Sequence, residues 1–119
     1  MNPKWQVIYY ISPSKNNPID DFLDGLSENQ QSKLIRIFHY IKEYGLQSVI
    51  PHIKKLSGTP LWEIRILGQN NIRTIYVVPK EQQVLILHGF IKKNQKTPTK
   101  EIEIALNRFK EYQNRAIDK

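Results

Sequence analysis

Two arginines on consecutive predicted strands are the residues in this sequence best suited to chemistry on a phosphate group. Arg65 lies in the alternating segment 62–67, and Arg73 lies in the next β-rich segment, 72–78. Because a guanidinium fork can hold two phosphate oxygens at once, this pair can stabilise negative charge that builds up on a reacting phosphate. A strand arginine is equally suited to a surface ion pair, for which Glu63 is a nearby partner. The spacing alone leaves both interpretations open.

A second group of candidates lies near the end of a later predicted strand, residues 84–91. His88 shares one face of that strand with Phe90 and Lys92, so proton transfer beside a stacked base is chemically possible. The competing interpretation of His88 is a half-buried histidine with a structural role. We group four residues as the candidate catalytic set: Arg65, Arg73, His88 and Lys93.

Lysines at the ends of the predicted strands are suited to binding the phosphates of RNA. One pair precedes the turn into the Arg65 strand, and three more lysines follow the His88 strand. Clusters of this kind are also common on ordinary solvated surfaces. The candidate residues for binding nucleic acid are Lys54, Lys55, Phe90, Lys92 and Lys96.

The overall composition fits a single basic domain with a polyanionic partner. The 119 residues include 18 Lys and Arg against 11 Asp and Glu, a formal charge of +7. Such a charge suits a polyanionic partner such as nucleic acid, and an acidic protein partner would fit the same numbers. The chain has no apolar run of about 18 residues and no signal-like start. We therefore expect a cytoplasmic protein without a membrane segment.

Residue types disfavour several classes of active site. The sequence contains no cysteine, which excludes thiolate metal ligands and cysteine nucleophiles. Glu63 has no second acid on the predicted strands with which to share a magnesium ion, and the three histidines lack metal-ligand spacing. We therefore expect neither a metal nor another cofactor. Cleavage of RNA by attack of its own 2′-hydroxyl on the adjacent phosphate requires only a base, an acid and stabilisation of charge.

Periodicity and capping patterns predict the elements of the N-terminal half. A strand at 5–11 precedes a short helix that starts at Asn17-Pro18 and ends near Leu26. Ser27 and Gln30 form a capping-box pattern ahead of a longer helix, which ends before a glycine.

The C-terminal half is predicted to contain three antiparallel strands and a last helix. Residues 68–71 and 79–82 are predicted hairpin turns between these strands. Thr97-Pro98 begins the last helix, whose tail after residue 114 we expect to fray. The order of elements predicts one α+β domain, residues 1–119, in which the helices pack on one sheet.

Four short motifs follow one another along the chain. They are Lys-Lys-Leu-Ser-Gly at 54–58, Leu-Trp-Glu-Ile-Arg at 61–65, Ile-Arg-Thr-Ile-Tyr at 72–76, and His-Gly-Phe-Ile-Lys-Lys followed by Lys-Thr-Pro within 88–98. In this order they resemble the RelE/ParE superfamily, and within it the HigB-like, phage-related branch. The likeness extends over nearly the whole chain and implies a RelE-like fold.

This resemblance implies the toxin of a type II toxin–antitoxin system, which enters the ribosomal A site and cleaves mRNA without a metal. A cognate antitoxin, often with a helix-turn-helix domain, is the implied protein partner, together with the ribosome and mRNA. Arginines that match Arg65 and Arg73 are functional in relatives. The resemblance therefore favours the catalytic interpretation of both residues.

Two alternative functions remain open, because the superfamily also contains ParE-like gyrase poisons and members without activity. A gyrase poison would cause DNA breaks and spare mRNA. An inactive member would keep the fold and the binding of an antitoxin while lacking a competent acid or base.

Overall fold

The computed structural model describes residues 4–66, 71–93 and 97–117. Its elements in chain order are β1 (Gln6–Tyr9), α1 (Pro18–Asp24), α2 (Glu28–Tyr44), a 3-10 helix (Leu46–His52), β2 (Ile53–Lys55), β3 (Trp62–Arg65), β4 (Ile72–Lys80), β5 (Gln83–Ile91) and α3 (Thr99–Ile117). Within the described residues, these five strands form one sheet in the order β1-β5-β4-β3-β2. Strand β1 runs parallel to β5, and the other neighbouring strands are antiparallel.

The first two helices begin at residues whose side chains cap them. The side chain of Asn17 accepts a hydrogen bond from the Asp20 backbone N–H at 3.0 Å. Ser27 accepts a bond from the Gln30 N–H, while the Gln30 side chain accepts one from the Ser27 N–H, so the predicted capping box is confirmed. These bonds satisfy donors that the start of a helix leaves unpaired. Gly45 ends α2 with a φ of +82°, a backbone conformation that favours glycine.

The antiparallel part of the sheet contains one strand more than the sequence predicts. Strand β2 pairs with β3 through Lys54 opposite Glu63 and Lys55 opposite Trp62. A three-residue edge strand with two lysines has neither the length nor the alternation that indicates a strand in sequence. Its extended conformation depends on the hydrogen-bonding partner that β3 supplies. Residues 68–70 of the predicted turn lie outside the described part of the chain.

The sheet separates two apolar cores. The core on the side of α1 and α2 contains the buried residues Ile19, Leu23, Leu34, Ile37, Phe38, Ile41, Val49, Ile64, Ile66, Ile72, Tyr76, Val84 and Ile86. The core on the side of α3 contains Tyr10, Leu56, Leu61, Ile75, Val77, Leu85, Leu87, Phe90 and Ala105. Because side chains alternate along a strand, the long strands β4 and β5 contribute to both cores. The predicted α+β class, with helices packed on one sheet, is confirmed.

An irregularity in β5 decides which of its side chains face α3. Tyr76 pairs with Ile86, whereas the preceding residue, Ile75, pairs with His88, so Leu87 is an additional residue on β5. A bulge of this kind shifts the alternation of a strand by one residue. Leu87 and His88 therefore both lie on the α3 side, and the residues that follow His88 alternate from this new starting point.

The position of Gly89 on the α1 side of β5 can be tested by a substitution. A Cβ atom added at Gly89 would lie 2.3 Å from Cδ2 of Phe22 on α1, whereas a Cβ added at Gly25 would have its nearest neighbour 3.6 Å away. We predict that Gly89→Ala lowers the free energy of unfolding by about 1–3 kcal/mol, because Phe22 and α1 must move to make room. Gly25→Ala is the matched control and should change it by less than about 1 kcal/mol. Urea unfolding measures both, and equal effects would contradict the close approach of α1 to β5.

Candidate functional site

The strand register brings basic side chains together on the α3 face of the sheet. Arg65 on β3 lies directly opposite Arg73 on β4, and Lys54 on β2 lies opposite Glu63. Glu63 and Arg65 are two residues apart on one strand, so they point to the same face. Directly opposed residues have Cβ atoms about 4.5–5.5 Å apart. We call four basic residues around Glu63 the cation cluster: Lys54, Arg65, Arg73 and Lys92.

Glu63 is the buried centre of this cluster. Its side chain is 1% exposed, and its Oε1 lies 3.4 Å from Nε of Arg73, whose side chain is 13% exposed. The other oxygen, Oε2, accepts a hydrogen bond from the hydroxyl of Thr97, which lies just before α3. A buried carboxylate is tolerated where opposite charge and hydrogen bonds compensate for lost hydration. Glu63 therefore connects β3, β4 and the segment that leads into α3.

The two arginines of the cluster keep donors that the described residues do not use. Arg73 Nη1 donates to the carbonyl of Ile72 at 3.0 Å. Burial lowers the pKa of Arg73, Glu63 opposes that shift, and Arg65 adds to it. The buried Nε of Arg65 has no hydrogen-bond partner in the described part of the protein, whereas the Nε of Arg73 faces Glu63 in the ion pair. Because buried donors without an acceptor are costly, this arrangement favours the binding of an anion.

Lys92 belongs to the cation cluster, whereas Lys93 is exposed. Burial lowers the pKa of Lys92, Glu63 opposes that shift, and the other three cations of the cluster reinforce it. The backbone N–H of Lys92 donates to the carbonyl of Asn71 at 2.7 Å, which extends the pairing of β4 and β5 by one step. Of the two adjacent lysines, the structure therefore brings Lys92 to the arginines, although the sequence placed Lys93 in the candidate catalytic set.

His88 is bound to α3. Its Nε2 lies 2.7 Å from Oε1 of Glu101, and its Nδ1 lies 3.2 Å from Nη1 of Arg108. A guanidinium group can only donate, so Nδ1 is the acceptor and Nε2 donates its proton to Glu101. Burial lowers the pKa of His88, the hydrogen bond to Glu101 opposes this shift, and Arg108 adds to it. With both ring nitrogens engaged, the geometry favours the structural interpretation of His88.

The remaining binding candidates lie on different surfaces. Phe90 is 6% exposed, and its ring stacks on His88 with the centroids 5.6 Å apart, so it contributes to the α3-side core and offers little surface to an RNA base. Lys55 lies over the ring of Trp62 at 5.4 Å, on the strand that forms one edge of the sheet. Lys96 lies outside the described residues.

The sequence analysis did not identify Thr97 and Arg108 as residues whose side chains support the site. The sequence marked Thr97 only as a helix start, yet its hydroxyl binds the Glu63 carboxylate 34 residues earlier. Arg108 donates to the carbonyl of Leu87 at 2.8 Å and approaches His88. Neither residue gives a local sequence signal, because each partner lies on another element.

The described ranges 4–66, 71–93 and 97–117 contain no group of three or more His, Asp or Glu that could hold a metal ion. None of the helices in this part of the protein is long and apolar enough to cross a membrane.

Comparison with known protein families places most of the chain within a family model. A family model described as phage-derived protein Gp49-like (DUF891) matches residues 21–110. The matched segment contains every member of the cation cluster, together with Glu63 and Thr97. The chain has no significant match among curated proteins.

The contribution of the hydrogen bond from Thr97 to Glu63 can be measured by removing the hydroxyl group. We predict that Thr97→Val, which keeps the shape of the side chain, lowers the free energy of unfolding by about 1–3 kcal/mol, because the buried carboxylate loses its hydrogen-bond donor. Thr99→Val changes an exposed threonine and should stay within about 0.5 kcal/mol of the unaltered protein. Urea unfolding at neutral pH measures both variants. Equal losses would mean that the hydroxyl of Thr97 does not support Glu63.

The His88 network predicts a pH dependence of stability. Because burial lowers the pKa of folded His88 below that of the unfolded chain, the unfolded state takes up the proton first as the pH falls. The contribution of neutral His88 is therefore complete above an unfolded pKa of about 6.5 and is lost as the pH falls towards the folded pKa. Urea unfolding between pH 7.5 and pH 5 should show this decline, and His88→Gln should make it shallower. An identical pH dependence in both proteins would contradict the assignment.

Proposed function

The chain belongs to the phage-derived Gp49-like family (DUF891), a RelE-like family of toxins of toxin–antitoxin systems, and on that premise we propose that it cleaves mRNA on the ribosome without a metal ion. The cation cluster is the observation that carries this proposal. We further propose that the chain lies in the HigB-like branch of the RelE/ParE superfamily.

The cation cluster suits the charge changes of RNA cleavage. When the 2′-hydroxyl attacks the adjacent phosphate, negative charge increases on the phosphate oxygens as one P–O bond forms and another breaks. Arg65 and Arg73 lie opposite each other on adjacent strands, so both guanidinium groups can donate to one phosphate. Donors fixed before the reaction stabilise the transition state without having to reorganise. The Nε of Arg65 has no hydrogen-bond partner among the described residues, which leaves that guanidinium group able to donate to a bound phosphate.

Glu63 is proposed as a residue that positions Arg73. Its 1% exposure, its contact with Arg73 and its bond from Thr97 leave little room for a substrate hydroxyl at the carboxylate. A general base must come within hydrogen-bond distance of the proton that it removes. The carboxylate instead fixes the orientation of the guanidinium group above it.

Lys92 is proposed for proton transfer, in place of His88 and Lys93. A lysine whose pKa is lowered can exchange a proton closer to neutral pH than an ordinary surface lysine, and Lys92 meets that condition within the cluster. His88 has both ring nitrogens engaged by α3 residues. Lys93 is exposed, which suits it to contact with ribosomal phosphates.

A toxin of this type implies an antitoxin partner. We propose that the antitoxin contains a helix-turn-helix domain and that the ribosome and mRNA are the other partners. The formal charge of +7 supports binding to a polyanion such as ribosomal RNA, and such binding should weaken as salt is added.

Primer extension on a defined mRNA in a cell-free translation reaction tests this proposal. One reaction contains ribosomes, a second omits them, and a third contains ribosomes without the protein. Discrete cuts that require both ribosomes and protein are the expected result. Cuts without ribosomes would indicate a free ribonuclease, and intact mRNA in every reaction would favour a gyrase poison or an inactive toxin.

Two variants of Arg65 distinguish the effect of its positive charge from the effect of its two-pronged hydrogen bonding. We predict that Arg65→Ala lowers the cleavage rate by about a hundredfold, because the phosphate loses a donor where charge develops. Arg65→Lys keeps the charge and loses the fork, so it should be slower than the unaltered protein and faster than Arg65→Ala. Lys93→Ala is the comparison, an exposed cation next to the cluster, and should lower the rate far less, because it removes only one peripheral contact with the ribosome. Circular dichroism confirms the fold of each variant, and similar rates for Arg65→Ala and Lys93→Ala would contradict the role of Arg65.

A further inference from the structure

An open cleft adjoins the cation cluster on the α3 face of the sheet. It lies between the loop that joins β2 to β3 and the segment that begins α3, and its volume is about 410 Å³. This volume falls within the range of roughly 300–1,000 Å³ that is usual for small-molecule sites. Its lining residues are Lys54, Lys55, Leu56, Ser57, Thr97 and Ile102.

The cleft and the cation cluster share a wall. Lys54 lines the cleft and lies opposite Glu63 in the pairing of β2 with β3. Thr97 also lines the cleft, and its hydroxyl donates to Glu63. Neighbouring strands are about 4.8 Å apart, so a phosphate bound by the cluster is within the reach of a nucleoside lying in the cleft.

Hydrogen bonds hold the loop side of the cleft in place. Leu56 N–H donates to the carbonyl of Leu61 at 3.1 Å, and Thr59 N–H donates to the carbonyl of Leu56 at 3.2 Å. The hydroxyl of Thr59 donates to the same Leu56 carbonyl at 2.8 Å and accepts from the Leu61 N–H at 3.0 Å. Gly58, with a φ of +80°, allows the chain to reverse here. A cleft built in this way exists before a ligand binds, which reduces the ordering that binding requires.

The opposite side of the cleft is fixed by the start of α3. The Ile102 N–H donates to the carbonyl of Pro98 at 3.3 Å, and the side chain of Ile102 packs against the α3-side core. The lining therefore combines apolar surface from the half-buried Ile102 with the hydroxyl of Ser57. A flat apolar ring with polar edges fits such a mixture, because bases in enzyme pockets are held by apolar side chains and by hydrogen bonds to their edges.

A second groove of the protein has the wrong location for this purpose. It has a volume of about 200 Å³ and is lined by α2 residues together with His52 and Ile66. Ile66 belongs to the core on the α2 side, so this groove lies on the opposite face of the sheet from the cation cluster. A nucleoside joined to a phosphate in the cluster could not reach it.

We propose that the cleft between the β2–β3 loop and the start of α3 binds the nucleoside attached to the phosphate that the cation cluster holds. The inference rests on the proposed function for the identity of the ligand as a ribonucleotide. It assigns Ser57 and Ile102 to recognition of the nucleoside, and it makes the cleft the part of the site that distinguishes one nucleotide from another.

Equilibrium titrations that do not depend on cleavage test the cleft. The probes are adenosine 3′-monophosphate, uridine 3′-monophosphate and inorganic phosphate, titrated at low salt into the full-length protein and followed by calorimetry. We expect at least one nucleotide to bind roughly fivefold or more tightly than inorganic phosphate, the gain that contact with a base supplies. Equal affinity for all three probes, or no binding of any, would overturn the proposal.

Ser57→Trp fills the cleft from an exposed position and leaves every residue of the cation cluster unchanged. It should reduce nucleotide affinity to that of inorganic phosphate, while the dissociation constant for phosphate changes by less than about twofold. Ser32→Trp, the same change at an exposed serine on α2, is the matched control and should bind all probes like the unaltered protein. Loss of phosphate and nucleotide binding together in Ser57→Trp would contradict a separate nucleoside subsite.

The outcome for the cleft can be separated from the outcome for the proposed function. Nucleotide binding that Ser57→Trp abolishes, together with intact mRNA on ribosomes, would retain the cleft and reject the endonuclease. Cleavage with an unchanged pattern of cut sites in Ser57→Trp would retain the endonuclease and reject the cleft as a determinant of specificity. An altered pattern of cut sites would support both.

Discussion

The cation cluster depends on a carboxylate buried beneath it. Basic side chains from adjacent strands repel one another, and this repulsion is stronger at a partly dry surface than in bulk water. Glu63 offsets the repulsion through its contact with Arg73, and the hydroxyl of Thr97 supplies part of the hydrogen bonding that the carboxylate loses on burial. Because Thr97 lies just before α3, the same carboxylate also connects the sheet to the start of the last helix. The charge of the site and the position of α3 are therefore linked through one side chain.

The bulge in β5 has consequences at both ends of this region. With Leu87 as an additional residue, His88, Phe90 and Lys92 alternate onto the α3 face. His88 then meets Glu101 and Arg108, and Phe90 enters the α3-side core. Lys92 reaches the cation cluster for the same reason. Without the shift in alternation, Lys92 would lie on the side of α1 and α2, away from the arginines.

A site made of fixed positive charge is well matched to the reaction proposed for this protein. In RNA cleavage by the 2′-hydroxyl, the substrate carries its own nucleophile, so the protein needs chiefly to hold the phosphate and stabilise its charge. Membership of the family indicates a toxin of a toxin–antitoxin system, and the pairing of β3 with β4 places the two arginines side by side. Helices pack on both faces of these strands, and the polar residues of the site lie on the α3 face beside the α3-side core.

The sequence by itself determined the helices, the long strands and the two arginines. Their signals are local: Ser27 with Gln30 forms a capping box within one turn, and the alternation of residues 62–66 marks a strand with Arg65 on the face away from Trp62. The tertiary structure alone decided three other features. They are the extra strand at Ile53–Lys55, the position of Lys92 rather than Lys93 beside the arginines, and the contacts of His88 with Glu101 and Arg108. The same holds for Thr97, whose partner Glu63 is far away in sequence. Each of these features depends on a pairing or a bulge that brings distant residues together, and a pattern within one segment carries no information about the residue that will lie opposite it.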